Sequence, residues 1–316
     1  MENRNSLPIK HAADAVRDAD DIVKEGMTGE QMALFSRHPK IKKALLGGWR
    51  FNNNYVIAGA SGSYKSFYLN MLYQDFFDQS LNSGFHKPFK VLHFAFEMSA
   101  ADEILRAASG NTKKSYRELL STDEILSAKD YALTRAYFDK FRTYEIYYVE
   151  ATGNVQQMYD TIHMFQDKFP DHLIIVGTDH TLLADFKDEK SEVELVSNFS
   201  KMQLKVRKEL HNMNLQVVQL NADIEELDRI NNPHNHYPKK KDLHGSKAIF
   251  QCADYVTVLH APEKLGIVKY GPKLYDTQDL IAWHLIKARK GTPGLIRLRN
   301  KLSEGTIIEW EDAVIV

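Results

Sequence analysis

Tyr55 to Phe76 reads YVIAGASGSYKSFYLNMLYQDF, and its character changes twice. An apolar, β-prone run (Tyr55–Ala58) meets a glycine- and serine-rich turn, Gly59-Ala60-Ser61-Gly62-Ser63-Tyr64-Lys65-Ser66. The turn then opens a stretch in which Leu69, Leu72, Tyr73 and Phe76 recur at helical spacing. Strand, glycine loop and helix in that order are the context a phosphate-binding loop needs. Successive backbone N–H groups of such a loop form an anion nest and the helix N-terminus adds partial positive charge. Lys65 is then placed to reach the terminal phosphates of ATP, and Ser66 to hold Mg²⁺. Tyr64 stands where the usual pattern has glycine before the lysine; a side chain turned outward leaves the nest intact. Taken alone, the motif also fits a plain turn followed by a chance lysine.

Outward from this stretch, short apolar runs alternate with helical patterns, which predicts an α/β fold with a mostly parallel central sheet flanked by helices. The expected strands are Tyr55–Ala58, Val91–Phe96, Ile146–Val149, Leu173–Thr178, Leu215–Leu220, Tyr255–Leu259 and Ile281–Ile286. Val155, Met158, Ile162 and Phe165 form a second helical stripe that belongs to the core. Two segments break the alternation. In residues 1–45, Val16, Ala19 and Val23 mark a weak amphipathic helix among acidic residues, either a frayed tail or an arm that docks on something. The expected division is an N-terminal helical arm over 1–44 and an ATPase domain over 45–316. The other segment, Ile230 to Lys241 (INNPHNHYPKKK), has no periodicity and reads as a long exposed loop.

Bulk properties narrow the class. Forty-one basic and 42 acidic residues give a net charge of −1, which neither points to a polyanion partner nor excludes a local basic strip. The single cysteine, Cys252, rules out an internal disulfide, and MENRNSLPIKHAADAV has no apolar signal core, so a cytoplasmic protein is expected. The longest aliphatic stretch, Leu173–Val176, is far short of the ~20 residues that span a bilayer, so no membrane segment is expected.

A P-loop hydrolase needs one carboxylate to orient the attacking water and another near Mg²⁺, each at the C-terminal end of a strand. Glu97 ends VLHFAFE and Asp179 ends LIIVGTD; singly, each also fits a turn residue or helix cap. Gln219 ends another strand and is either a γ-phosphate sensor or an ordinary polar strand end.

These motifs, in this order, resemble the ATPase domain of the DnaB-type replicative helicases, a branch of the RecA-like P-loop fold. The resemblance runs from about Leu45 to Trp310. LLGGWRFNNNYVIAGASGSYKS looks like the family's entry strand and Walker A loop. VLHFAFEMSA is similar to the stretch ending in Leu-Glu-Met-Ser, which implies that Glu97 activates water. LIIVGTDHTLL resembles the Walker B strand and implies Mg²⁺ support by Asp179. VVQLN resembles the strand end bearing the sensor glutamine, here Gln219. DLHGSKAIFQCAD is similar to the DNA-contacting loop and the helix after it. LIKARKGTPG looks like the Lys-x-Arg segment that reaches a neighbour's nucleotide, so Lys287 and Arg289 inherit a trans-acting role. The departures are Tyr64, and a DNA loop with His244, Gly245 and Lys247 where the family has arginine, glutamate and glycine. About 45 residues precede the core, which implies a phage or plasmid version without the N-terminal primase-binding domain.

The resemblance implies an ATP-driven helicase that assembles as a homo-oligomeric ring, a hexamer in the family. Such a ring translocates on single-stranded DNA, hydrolyses ATP at subunit interfaces and works with a primase or helicase loader. Lys187, Lys190, Lys239, Lys240, Lys241, His244, Gly245 and Lys247 are the expected DNA contacts, although a lysine run also fits a solvated face. The segment Lys287 to Lys301, basic throughout with no acid, is either a phosphate-facing edge or a solvated hairpin. Alternative readings are a RecA-like recombinase or helicase-loader ATPase, and a nucleotide-binding assembly protein without unwinding activity.

Overall fold

A computed structural model describes residues 9–179, 184–187, 189–232 and 236–310 of the chain. Its strands are β1 (Asn53–Gly59), β2 (Phe89–Ala95), β3 (Ile146–Val149), β4 (Leu173–Asp179), β5 (Met213–Gln219), β6 (Tyr255–His260), β7 (Lys269–Tyr270), β8 (Tyr275–Asp276), β9 (Leu280–Ala288), β10 (Gly294–Lys301) and β11 (Thr306–Glu309). The α-helices are α1 (Ala12–Met27), α2 (Pro39–Ala44), α3 (Lys65–Phe77), α4 (Gln79–Asn82), α5 (Ala100–Thr112), α6 (Tyr116–Leu119), α7 (Ala128–Phe141), α8 (Val155–Lys168), α9 (Glu192–Leu210), α10 (Leu227–Ile230) and α11 (Ser246–Cys252).

All strands but β7 and β8 join one sheet in the order β11-β10-β9-β6-β1-β5-β4-β2-β3. Neighbours from β3 across to β6 pair in parallel, and β9, β10 and β11 extend the sheet antiparallel. After their first residue β1, β2 and β4 are buried without interruption, because helices cover both faces of the parallel part. The expected mostly parallel sheet and each expected strand are present, within two residues of the expected bounds. Helix α3 is central: Tyr68, Leu69, Leu72, Tyr73 and Phe76 are all buried in the main core. The second stripe behaves likewise, with Met158, Ile162 and Phe165 of α8 against β2 and β4.

Strand β10 was not legible, because Arg297, Arg299 and Lys301 dominate its composition. Its intervening Ile296 and Leu298 enter the core, so the basic segment Lys287 to Lys301 is a hairpin with one apolar face. Arg297 lies 4.2 Å from the Tyr275 ring centroid rather than in open solvent. The long exposed loop expected over 230–241 is also corrected. His236 is buried and bonded to Ile224 O (2.8 Å) and His260 Nε2 (3.0 Å), and Tyr237 packs 5.2 Å from Tyr270, so the segment is fastened at its middle. Pro233, His234 and Asn235 of that segment lie outside the described residues, as do His180 to Leu183 of the Walker B-like stretch.

Helix α1 buries no residue; Val16 and Val23 are exposed. The rest of the segment expected to form an arm behaves differently from Gln31 onward. Leu34 bridges to Trp49, Arg37 pairs with Asp75, and His38 Nε2 bonds Ile307 O at 2.9 Å. No helix among the described residues is long and apolar enough to cross a membrane.

Candidate functional site

Strand order decides what meets what. With β6, β1, β5, β4 and β2 side by side and parallel, the residues that follow their C-terminal ends gather along one edge of the sheet. Gly59 leads into the phosphate loop, Gln219 ends β5, Asp179 ends β4, and Glu97 lies two residues past β2. Backbone bonds tie these ends together: Leu220 N donates to Gly59 O (3.2 Å) and Phe96 N to Asp179 O (2.8 Å). The result is an open cleft of ≈ 560 Å³, lined by Ser61–Phe67, Glu97, Arg106, Gln219 and Lys264.

The loop itself depends on Gly59. A Cβ there would stand 2.1 Å from Ser63 Oγ and 2.7 Å from Leu259 O, so the chain can fold back over the strand end only with glycine. Lys65 Nζ donates to Ala60 O at 2.7 Å, and Ser63 Oγ to the same carbonyl at 2.8 Å. Tyr64, the departure from the usual pattern, sits at the N-cap of α3 with φ 70° and ψ 17°. This left-handed conformation explains the usual glycine and costs a tyrosine ~1 kcal/mol. The side chain is engaged on both sides, its hydroxyl accepting from Asn300 Nδ2 (3.1 Å) and its ring lying 4.1 Å from Lys264 Nζ. It therefore turns away from the strand end, as expected.

The charges in the cleft are strained by burial. Desolvation pushes the Lys65 ammonium below its ordinary range, against the pull of Asp179 and Glu97. Desolvation pushes the Asp179 carboxyl up; a hydrogen bond from Ser66 and the nearby His93 oppose it. Asp179 Oδ1 is buried and has no hydrogen-bond partner. A buried carboxylate oxygen left over, beside a serine hydroxyl at the head of a phosphate loop, fits a hard divalent cation such as Mg²⁺.

Arg106 and Lys264 escaped the sequence reading. The usable signal for Lys264 was position: it follows β6, the neighbour of the P-loop strand, just past the same sheet edge. Arg106 stands on α5 and becomes a candidate only once that helix is seen to run back over the cleft.

Lys287 and Arg289 are elsewhere. Tyr55 pairs with Tyr255, and Tyr255 with Ala288, so both residues lie level with the start of β1, at the opposite edge from the loop. From there to Gly59 the strand runs on for roughly 13 Å. Lys287 Nζ donates to Phe250 O and Ala253 O; Arg289 contacts Asp254 Oδ1 (3.2 Å) and donates to Gln251 O (2.8 Å). They cap the C-terminal end of α11 and do not reach their own chain's cleft.

The expected DNA contacts fall on a third surface. Lys239, Lys240 and Lys241 are exposed on a turn held from inside by Asp242, which accepts from Lys239 N (2.6 Å) and from the Arg229 guanidinium (2.7 and 3.0 Å). Lys240 Nζ stands 5.0 Å from the Phe250 ring. His244, Gly245 and Lys247 line a second cleft of ≈ 550 Å³ with Lys201 and Asn221. His244 Nε2 lies 3.2 Å from Glu192, at the start of α9, which brings this loop beside the segment carrying Lys187 and Lys190.

Residues 39–304 match the family model described as the DnaB-like helicase C terminal domain. No curated protein matches the chain in sequence. Among solved structures, one helicase-sized ATPase domain aligns with a TM-score of 0.79 at 17% identity, over 96% of this chain and 100% of that one. A DnaB-like replicative helicase, from a structure that also describes its interactions with primase, aligns with a TM-score of 0.76 at 17% identity, over 97% of this chain and 68% of that one.

Proposed function

The chain belongs to the DnaB-like helicase C-terminal domain family, whose members are ATP-hydrolysing DNA helicases, and from that premise we propose how its own residues divide the work. The chain acts as a homo-oligomeric ring, hexameric by analogy, that moves along single-stranded DNA and hydrolyses ATP between subunits. Its ATPase core begins near Gln31, where packing onto the sheet begins, and α1 is an arm free to dock on a neighbour.

In this reading the N–H groups of Gly59 to Ser66 and the Lys65 ammonium bind the phosphates of ATP. Ser66 and Asp179 hold Mg²⁺, which when bound screens the charge that builds on the phosphates. Glu97 orients and polarises the attacking water, and Gln219 senses the γ-phosphate. Arg289, with Lys287, is offered to the neighbouring subunit's nucleotide, where a guanidinium is typically worth about 10³-fold or more in rate. Lys187, Lys190, the Lys239–Lys241 turn, His244, Gly245 and Lys247 hold the DNA backbone, and a primase or loader is the external partner.

The observation that carries this reading is a complete cleft at one sheet edge with the candidate finger at the other, out of its own chain's reach. Arg289→Ala and Glu97→Gln subunits should each be nearly inactive. Mixed under conditions shown to exchange subunits, they should recover ATPase, because some interfaces then pair an intact Glu97 with a neighbour's intact Arg289. No recovery at any ratio would count against a shared site. Strand displacement then separates a helicase from a recombinase or loader.

A further inference from the structure

Between the P-loop helix and the sheet lies a set of buried polar side chains with no part in the roles assigned above. Tyr73 Oη, on α3, is 3.0 Å from Nδ1 of His93 on β2, and His93 Nε2 is 3.1 Å from Glu103 Oε1 on α5. The second oxygen of Glu103 accepts from Asn70 Nδ2, back on α3, at 3.2 Å. All four residues are buried, His93 completely. Strand β4 leaves room for them: Gly177 pairs with His93, and a Cβ there would stand 1.6 Å from Tyr73 Oη and 2.8 Å from His93 Nδ1.

Stability alone does not account for this cluster. Buried polar groups lose their hydration, and well-packed apolar residues of similar volume usually hold such a joint equally well. What the cluster does is connect. Helix α3 opens with Lys65 and Ser66, β2 runs into Glu97, α5 follows Glu97 directly, and β4 ends in Asp179. His93 and Gly177 lie two residues before Ala95 and Asp179, on the same face of the sheet. Hydrogen bonds are directional where dispersion contacts are not. Three in series fix both the slide and the rotation of α3 and α5 against β2, and with them the distance from Glu97 to the phosphate loop.

We propose that Tyr73, His93, Glu103 and Asn70 are positioning residues for ATP hydrolysis, a buried hydrogen-bonded joint that holds the water-activating glutamate and the P-loop at their working separation. The inference rests on the role of Glu97 proposed above. Misplacement of a reacting group by about 1 Å costs on the order of 10²-fold in rate, so a joint of this kind acts on turnover while leaving ground-state binding alone.

The test compares wild type, Glu97→Gln, Glu103→Gln and the apolar triple variant Tyr73→Phe/His93→Leu/Glu103→Leu. The measurements are ATPase kcat and KM, affinity for a fluorescent ATP analogue, and thermal midpoint, on the full chain. The triple variant is expected to keep KM and analogue affinity within about twofold and to lose at least about tenfold in kcat. Glu103→Gln keeps both bonds once Asn70 turns its amide, and is expected to retain more than about half of kcat. Wild-type kcat in a folded triple variant would overturn the proposal, as would losses of kcat, affinity and midpoint in parallel. If the triple variant does not fold, Tyr73→Phe carries the same question: a kcat loss of about two- to fivefold at constant KM supports the joint, and full kcat overturns it. Normal ATPase in Glu97→Gln would instead remove the premise, a failure visible before any joint variant is measured.

Discussion

Helix α3 has a buried aspartate close to each of its ends, and the two are satisfied to different degrees. At the C-terminal end Asp75 takes the backbone N–H of Arg37 at 2.9 Å and its guanidinium at 2.6 and 2.8 Å. Beside the N-terminal end Asp179 takes the Ser66 hydroxyl and leaves Oδ1 without a partner. Burial raises both carboxyls, but at Asp75 the next largest influence is the ion pair with Arg37, whereas at Asp179 it is one neutral hydroxyl. A buried acid whose lone pairs are all taken by its own chain is a joint. One with an oxygen left over is reserved for something that arrives later, and the fold bears the cost until then.

That contrast is broken most directly at its functional end. Asp179→Asn removes the negative charge and keeps the shape. ATPase should fall by about 10³-fold, the scale of losing a preorganised electrostatic contact. Thermal stability should hold or rise, since the charge removed was an under-satisfied one. A large loss of stability in Asp179→Asn would mean that the carboxylate is a structural joint after all. At the other end, Asp75→Ala should leave kcat per folded subunit unchanged and destabilise the chain by about 2 kcal/mol. That is below the usual figure for breaking a buried pair because Arg37 is partly solvated. Denaturant melts compare the two directly.

Next to Asp75 the same end of α3 carries a pH-dependent element. Burial takes the His38 imidazole down to about 4, opposed by its bond to Ile307 O. The folded state thus binds the neutral ring. The stability this contributes is complete above the unfolded value of about 6.5 and is lost as pH falls from there through about 4. The slope is at most ~1.4 kcal/mol per pH unit. His260 and His284, also lowered by burial, act with the same sign. Stability of His38→Gln against wild type, measured from pH 7 to 5, isolates the His38 share: wild type should lose more. Parallel curves would mean that His38 titrates in place.

How much of this was visible beforehand differs between the two ends for a physical reason. The functional end is written in local patterns. A glycine loop between strand and helix, and acids at strand ends, are short-range features, so Lys65, Ser66, Glu97, Asp179 and Gln219 were all legible. The joint at Asp75 is not local. Arg37 and Thr306, which it helps to bring together, are 269 residues apart, and no periodicity reports such a pairing. The same holds for Tyr73, His93 and Glu103, which read as ordinary members of a helix stripe, a strand and a helix start. Strand β10 was hidden because its charged face outweighs its apolar one in composition.

The smallest expected effect concerns a surface on which neither kind of acid applies. The Lys239–Lys241 turn is anchored by the buried Arg229–Asp242 pair, so removing its three ammonium groups should leave the backbone where it is and change only charge. If these lysines meet DNA phosphates, each ammonium–phosphate pair removed should reduce the slope of log affinity against log salt by roughly 0.7, about 2 for Lys239→Ala/Lys240→Ala/Lys241→Ala together. The weakening should be the same for any single-stranded sequence, since phosphate contacts carry no base information. Lys240 is the member to examine singly, because its ammonium already faces the Phe250 ring and should contribute less than its neighbours if that contact persists on DNA. Titrations of labelled oligonucleotide at several salt concentrations decide the matter: an unchanged slope for the triple variant would leave the turn a solvated face and move the DNA path to the cleft lined by Lys201 and Lys247.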